Sequence, residues 1–311
     1  GFPLWKKLQV FRNTRVSSGI LIINGVECDP GLVHDKWLME HDMSVITRGA
    51  VLIAGQMGIK RTILVCGLGV RPDLAGTGSM EIVFAGVRYP AGEEQMIVRS
   101  VTGQELAPAQ YPAEAGVLVC NVQTLHAVGS LYAGTLKKNS RIITIADLTS
   151  GRAQAVRVPL GIMIEDVSRR FSAVNGTAPA ATRIIQGGGL FHAGIATPED
   201  RVDSTTNLVA RVAPWSFDPE SPCRGCGACR RSCPQRLPLP RIVKGFQKNT
   251  SHGVSRQVLD RCIGCGSCSY HCKASIPVQR LVAETAASSV TCDSPRIGMP
   301  TGLKVDCAAL Q

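Results

Sequence analysis

The spacing of eight cysteines constrains this chain more than any other feature. Cys223, Cys226, Cys229 and Cys233 stand in the order C-x2-C-x2-C-x3-C with Pro234 next, and Cys262, Cys265, Cys268 and Cys272 repeat that spacing. Turns this close let three sulfurs converge on three corners of one four-iron, four-sulfur cube, whereas the fourth cysteine, one helical turn further on, points toward the other cube. The spacing therefore assigns one [4Fe-4S] cluster to Cys223, Cys226, Cys229 and Cys272, and a second to Cys262, Cys265, Cys268 and Cys233. Gly225, Gly227, Gly264 and Gly266 suit a backbone that must wrap closely and offer N–H groups to sulfide. Lys273 takes the place where a proline is usual, which bears on the potential of that cluster rather than its ligation. Zinc sites instead pair two C-x2-C knuckles across a longer loop, and two runs of three cysteines would crowd one tetrahedral ion. The reading is an electron-transfer protein.

The other bulk features fit that chemistry. A chain of 311 residues holds two or three domains. Thirteen cysteines, eight of them at ligand spacing, indicate a reducing, cytoplasmic compartment rather than a disulfide framework. The formal charge is +11. Two oxidised clusters, each near −2 with its thiolates, bring this to roughly +7. Lys and Arg are scattered without interleaved aromatics, which argues against nucleic acid and for an acidic redox partner or a membrane surface. The uncharged stretch from Ala115 to Leu136 is interrupted by Asn121, Gln123, Thr124, His126 and Ser130. It reads as a strand and a buried helix, not a transmembrane segment. No signal-peptide pattern opens the sequence.

Upstream of the cysteines, apolar runs alternate with helical patterns. Ile20 to Ile23 reads as a strand ending at Asn24, with a turn through Asp29-Pro30-Gly31. A helix to about Gly58 follows, with apolar residues at Leu38, Val45 and Leu52 beside Met39, Ile46 and Ile53. Thr62–Cys66, Glu81–Val87 and Val117–Cys120 read as further buried strands, Gly92–Val101 as a short helix, and another helix opens at Asn121. Strands spaced by helices predict an α/β layer with a mainly parallel sheet. From about Arg141, strands at Ile142–Ile145 and Ala155–Leu160 precede a helix through Ile164, Val167 and Phe171. The organisation expected is an α/β domain over 1–138, a small α+β module over 139–192, a linker over 193–222, the cluster domain over 223–287 and a tail over 288–311.

Short motifs in the first domain resemble a known family. Gly1-Phe2-Pro3 with Lys7, and Asn24-Gly25-Val26-Glu27-Cys28-Asp29-Pro30, are similar to the flavin-binding segments of the FMN- and NADH-binding 51 kDa subunit of complex I. The likeness is closer to the RnfC subunit of the Rnf complex and to the cobalamin reductase of propanediol-utilisation microcompartments. Tyr89-Pro90-Ala91-Gly92-Glu93-Glu94-Gln95 resembles their second glycine–acid segment, Asn121-Val122-Gln123-Thr124 their flavin contact, and Thr205-Thr206-Asn207 their link into the cluster region. The resemblance implies a Rossmann-like flavin/nucleotide domain, a β-grasp (SLBB-like) module over the α+β segment, and a dicluster bacterial-ferredoxin domain. It also implies FMN as cofactor and NAD(H) as substrate. Lys7 and Asn24 would hold the flavin ring or phosphate, Asn121 and Thr124 the ribityl phosphate side, and Glu27, Glu93 and Glu94 would line the flavin and nicotinamide pocket.

The expected activity is that of an NAD(P)H- or ferredoxin-linked oxidoreductase subunit that feeds electrons to redox partner proteins or to subunits of a membrane complex. Its expected place is the cytoplasm, on the inner face of the membrane or in a microcompartment. The glycine-rich loop that precedes Gly-Phe-Pro in the family lies outside these residues, Val26 replaces an acid, and the amino-terminal barrel of the Rnf subunit is missing. These departures lean toward the cobalamin-reductase-like branch and motivate a second expectation, a flavin-free wiring subunit. Taken singly, Asn24, Asn121, Glu93 and Glu94 also read as helix-end residues. Cys28, Cys66 and Cys120 read as small buried apolar residues, and His126 and His271 as structural.

Overall fold

Ile20–Gly25 is apolar on both faces, which suits the centre of a parallel sheet covered by helices on each side. In the computed structural model, which describes residues 4–14, 19–73, 80–86, 88–108, 110–175, 183–213, 217–248 and 253–288, this segment holds that position. The chain forms two compact units, 1–216 and 217–311.

The first unit opens with α1 (Leu4–Asn13), β1 (Ile20–Gly25), α2 (His34–His41), α3 (Met43–Met57), β2 (Arg61–Cys66), β3 (Glu81–Phe84), α4 (Glu94–Thr102), β4 (Val117–Asn121) and α5 (Val122–Tyr132). The four strands are all parallel in the order β3-β2-β1-β4. Leu21 and Ile23 on one face of β1 pack with Leu38, Met39, Ile46 and Leu125 from the helices. Ile22 on the other packs with Ile97 and Val98 of α4. The single long helix expected to reach Gly58 is two helices. It breaks at Asp42 (φ −128°, ψ 27°), whose carboxylate meets Nε2 of His126 on α5 at 3.2 Å.

A second sheet follows, built from β5 (Ser140–Asp147), β6 (Arg152–Pro159), β7 (Arg183–Gly187), β8 (Ala193–Ile195) and β9 (Leu208–Val212) in the order β6-β5-β9-β7-β8, with α6 (Ile164–Asn175) between β6 and β7. Its core joins Ile143, Ile145 and Val209 with Ile164, Val167 and Phe171 of the helix. The expected linker over 193–222 needs correction. Residues 208–212 form the central strand, parallel to β5 and antiparallel to β7, so the module extends well past residue 192. Sequence reasoning missed β9 because Leu208–Val212 is short and includes Arg211, which points to Asp147 at 3.7 Å rather than to water.

The second unit comprises α7 (Ala228–Ser232), α8 (Leu239–Gln247), α9 (Arg256–Leu259), α10 (Ser267–Tyr270) and α11 (Val278–Ser288). Leu239, Ile242 and Val243 of α8 and Val278, Leu281 and Val282 of α11 recur at helical spacing and form one small core with Leu237, Leu259 and Ile276. No described helix is long and apolar enough to cross a membrane. Gly1-Phe2-Pro3, and Cys292 and Cys307 in the tail, lie outside the described residues.

Candidate functional site

The cysteine motifs fold as two copies of one device. Gly225 and Gly227 have φ of +65° and +68°, and Gly264 and Gly266 +68° and +74°. Left-handed backbone at alternate positions curls each loop inward, a path a Cβ would strain. Gly227 and Gly266 then stand at the N-termini of α7 and α10, which carry the third cysteine of each motif. Cys223, Cys226 and Cys229 line a single cavity, and the cysteine that joins them there is Cys272, from the other motif. Pro240, Val243, Ala274, Ile276 and Val278 close its apolar side.

The second set mirrors the first. Burial, then the neighbouring thiols Cys265, Cys262 and Cys233, push Cys268 up to about 12, and burial with the neighbouring Cys233 and Cys262 pushes Cys265 up to about 11. Cys229 is raised by burial and then by Cys272, Cys223 and Cys226. Each set of four thiols is thus mutually close, and each draws one member from the opposite motif. Thiols so crowded keep their protons until a cationic centre replaces them. Four soft sulfur donors around an apolar-walled hollow fit an iron–sulfur cube.

In the first unit, the strand order reverses between β1 and β4: the chain leaves β1 toward β2 on one side and returns to β4 on the other. Crevices at such reversals, beyond the carboxyl ends of the strands, are where α/β sheets take nucleotides. Asn24 and Asn121 end these two strands in register with each other. Both amides are already engaged. Asn24 donates to Gly92 O at 2.9 Å and accepts from Val26 N at 3.0 Å. Asn121 donates to Asp35 Oδ2 at 2.7 Å and accepts from Gln123 N at 2.7 Å, as the N-cap of α5. They therefore fix the loops that wall the crevice.

The other expected pocket residues divide in the same way. Lys7 is not a solvated surface lysine: its side chain is 13% exposed, and its Nζ pairs with Glu94 and donates to Val119 O at 2.9 Å. Thr124 is half-buried in the first turn of α5. Glu93 caps α4, accepting from Gln95 N and Met96 N at 2.9 and 3.2 Å, and burial holds its carboxyl above the ordinary range. Glu27 Oε1 accepts from Asp35 N and Lys36 N at 2.9 and 3.0 Å, serving the start of α2, where Val33 provides no side-chain cap. A buried ammonium and the capped N-terminus of α5 at one crevice fit an anionic, phosphate-bearing ring cofactor such as a flavin nucleotide.

Cys66 and Cys120 are buried in the sheet, whereas Cys28 is exposed, which corrects its expected place in the core. His271 bonds Ser267 O at 2.9 Å and His126 holds the Asp42 break, both structural. Three residues near the crevice escaped sequence reasoning. His34 and Asp35 follow the Asp29 turn as an unremarkable pair, and Thr144, which meets His34 Nδ1 at 2.9 Å, comes from the second sheet.

Asp29 does more than its place in a motif suggests. It is buried, accepts from Phe191 N at 3.1 Å and meets His192 Nδ1 at 2.9 Å, so it ties the second sheet to the crevice loop. A Cβ on Gly189 would sit 2.3 Å from that of Asp29. Asp29→Ala should cost roughly 1–3 kcal/mol by orphaning the Phe191 amide, and Gly189→Ala about 1–3 kcal/mol by overpacking. In urea unfolding the double variant should cost less than the two added together. Full additivity would mean that Gly189 and Asp29 do not share this contact.

Comparison with known proteins gives a consistent picture. Residues 1–130 match the Nuo51 FMN-binding domain family, and residues 215–273 the 4Fe-4S dicluster domain family. The chain is 28% identical over 227 residues to the RnfC subunit of the ion-translocating oxidoreductase complex of Rhodobacter capsulatus, covering 70% of this chain and 43% of that protein. The corresponding subunit of Pseudomonas aeruginosa is 28% identical over 81% of this chain and 33% of its own length. The equivalent subunit of the Na(+)-translocating ferredoxin:NAD(+) oxidoreductase complex of Acetobacterium woodii is 24% identical, over 80% of this chain and 57% of its own length. The chain thus spans a third to rather more than half of these relatives. In fold, a chain of an NAD+-reducing [NiFe]-hydrogenase in the air-oxidized state superposes with a TM-score of 0.59 at 20% identity, covering 97% of this chain and 61% of the other.

Proposed function

The chain belongs to the RnfC-like family, and from that membership we propose that it passes electrons between a nicotinamide dinucleotide and a redox partner protein through FMN and two [4Fe-4S] clusters. Its cofactors are FMN in the first unit and the cluster pair in the second, and it is an electron-transfer subunit of a redox complex. What supports the cluster half is the grouping of eight thiols into two crossed sets of four. In this reading Cys223, Cys226, Cys229 and Cys272 hold one cluster, and Cys262, Cys265, Cys268 and Cys233 the other.

FMN supplies the step between a two-electron donor and one-electron carriers. The chain's own residues prepare for it. Lys7 places a cation in the crevice, Glu94 keeps that cation oriented, and the N-terminus of α5 with Thr124 offers donors to the phosphate side. Asn24 and Asn121 hold the crevice walls apart at the strand ends. Glu93 and Glu27 act through the helix starts they serve rather than through the ring. The partner is a subunit of an ion-translocating assembly of the kind its relatives belong to, and the site of action is the cytoplasmic face of that assembly.

Lys7→Met is the direct test. Removing the ammonium should weaken FMN affinity by roughly tenfold or more, the scale of one charge-assisted contact, and leave iron content untouched. Flavin fluorescence quenching on titration reads the first, and iron analysis the second. Wild-type protein that holds iron but takes up no FMN would select the flavin-free wire instead.

A further inference from the structure

Beside the crevice lies a set of side chains that electron transfer does not use. Glu27 has one oxygen fixed by the amides of Asp35 and Lys36, while its other oxygen, Oε2, is buried with no hydrogen-bond partner. Asp35 is fully buried. Its Oδ2 accepts from Asn121, and its Oδ1 is likewise bare. His34, 1% exposed, has Nδ1 on the Thr144 hydroxyl. Its Nε2 stands 3.5 Å from Asp35 Oδ1 and 4.0 Å from Glu27 Oε2. One atom of each group is anchored and one is free, and the three groups offer ligand atoms within 4.8 Å of one another.

Two bare carboxylate oxygens buried side by side are costly unless something positive lies between them. The spacing says what. Both separations from Nε2 exceed the 2.7–3.2 Å of an N–H···O bond. Around a bridging water the partners would stand about 4.6 Å apart, taking bonds of about 2.8 Å. Ligands at about 2.0–2.1 Å from a tetrahedral ion stand about 3.4 Å apart, which is where Nε2 and Oδ1 are. Thr144 on the far ring nitrogen, and backbone amides on the far oxygen of Glu27, are the outer supports that metal ligands usually have.

We infer that Glu27, His34 and Asp35 form a binding site for one divalent transition-metal cation of the manganese, iron or zinc class, a set of one imidazole and two carboxylates that those ions accept. The partly exposed Glu27 gives access. The site is built wholly from this chain and does not depend on bound flavin.

The test uses the full chain with both clusters loaded and oxidised, so that they are diamagnetic and the cysteines are occupied. Mn2+ is titrated in, and its free paramagnetic signal is followed. One Mn2+ per chain should bind saturably and be displaced by Zn2+. His34→Gln and Asp35→Asn should each weaken binding tenfold or more, and Thr144→Val about tenfold, whereas His41→Gln, on the exposed end of α2, should not. Should the buried variants fail to fold, the wild type alone decides, because Mn2+ must raise its thermal midpoint in step with occupancy. Absence of saturable binding in the wild type, or binding that the folded variants leave unchanged, overturns the inference.

Discussion

Cys226→Ser should release about four of the eight irons and leave the other cluster in place, and Cys272→Ser should remove the same four. This pairing is what the crossed arrangement demands. Cys272 lies 46 residues beyond Cys226, yet it lines the same cavity, so loss of either opens the same cube. Cys265→Ser and Cys233→Ser should together define the second cluster. Iron analysis gives the stoichiometry. Low-temperature paramagnetic spectra of the reduced protein give the identity, because coupling between two reduced clusters disappears when one is gone. The cost extends to folding. The second unit has one small core in which Cys268 is itself buried, and domains with so little apolar interior depend on their metal centres. Each variant should therefore also lose a large part of the second unit's resistance to urea. If Cys272→Ser removed the cluster assigned to Cys262, Cys265 and Cys268, the crossed ligation would be wrong.

Gly49→Ala and Gly129→Ala should be the most destabilising single-methyl changes in the first unit, at about 3 kcal/mol or more each. A Cβ on Gly49 would lie 2.0 Å from the carbonyl oxygen of Leu125, and one on Gly129 would lie 2.0 Å from that of Val45. The obstacles are backbone atoms of the facing helix, which no rotamer change can move aside. Helices α3 and α5 would have to separate, opening the layer that holds Ile46, Ile53 and Leu125. Because α5 begins just after Asn121 and carries Thr124, the same displacement should weaken FMN binding with no contact residue altered. Denaturant unfolding and flavin titration read the two effects. The double variant should cost less than the sum, since one separation relieves both clashes. Either alanine tolerated within about 1 kcal/mol would mean that the two helices do not cross as closely as described.

Elements with a local cause were legible in the residues themselves. Apolar runs marked β1, β2 and β4, because a strand buried on both faces must be apolar throughout. The cysteine spacing marked both cluster loops, since three close turns can converge on one cube only at that interval. Capping chemistry was equally plain: Asn121 and Glu93 stand where short polar or acidic side chains satisfy the first amides of a helix. Other features exist only in the folded chain. Leu208–Val212 became the middle of a sheet because two distant strands, β5 and β7, leave their edges open to it. Asp42 ended a helix because His126, 84 positions later, holds it. Glu27, His34, Asp35 and Thr144 came together because the end of β1, the start of α2 and the middle of β5 meet at one place. Burial there stripped water from atoms that any single segment would have left solvated, and the need for a compensating charge arises only once those segments have met.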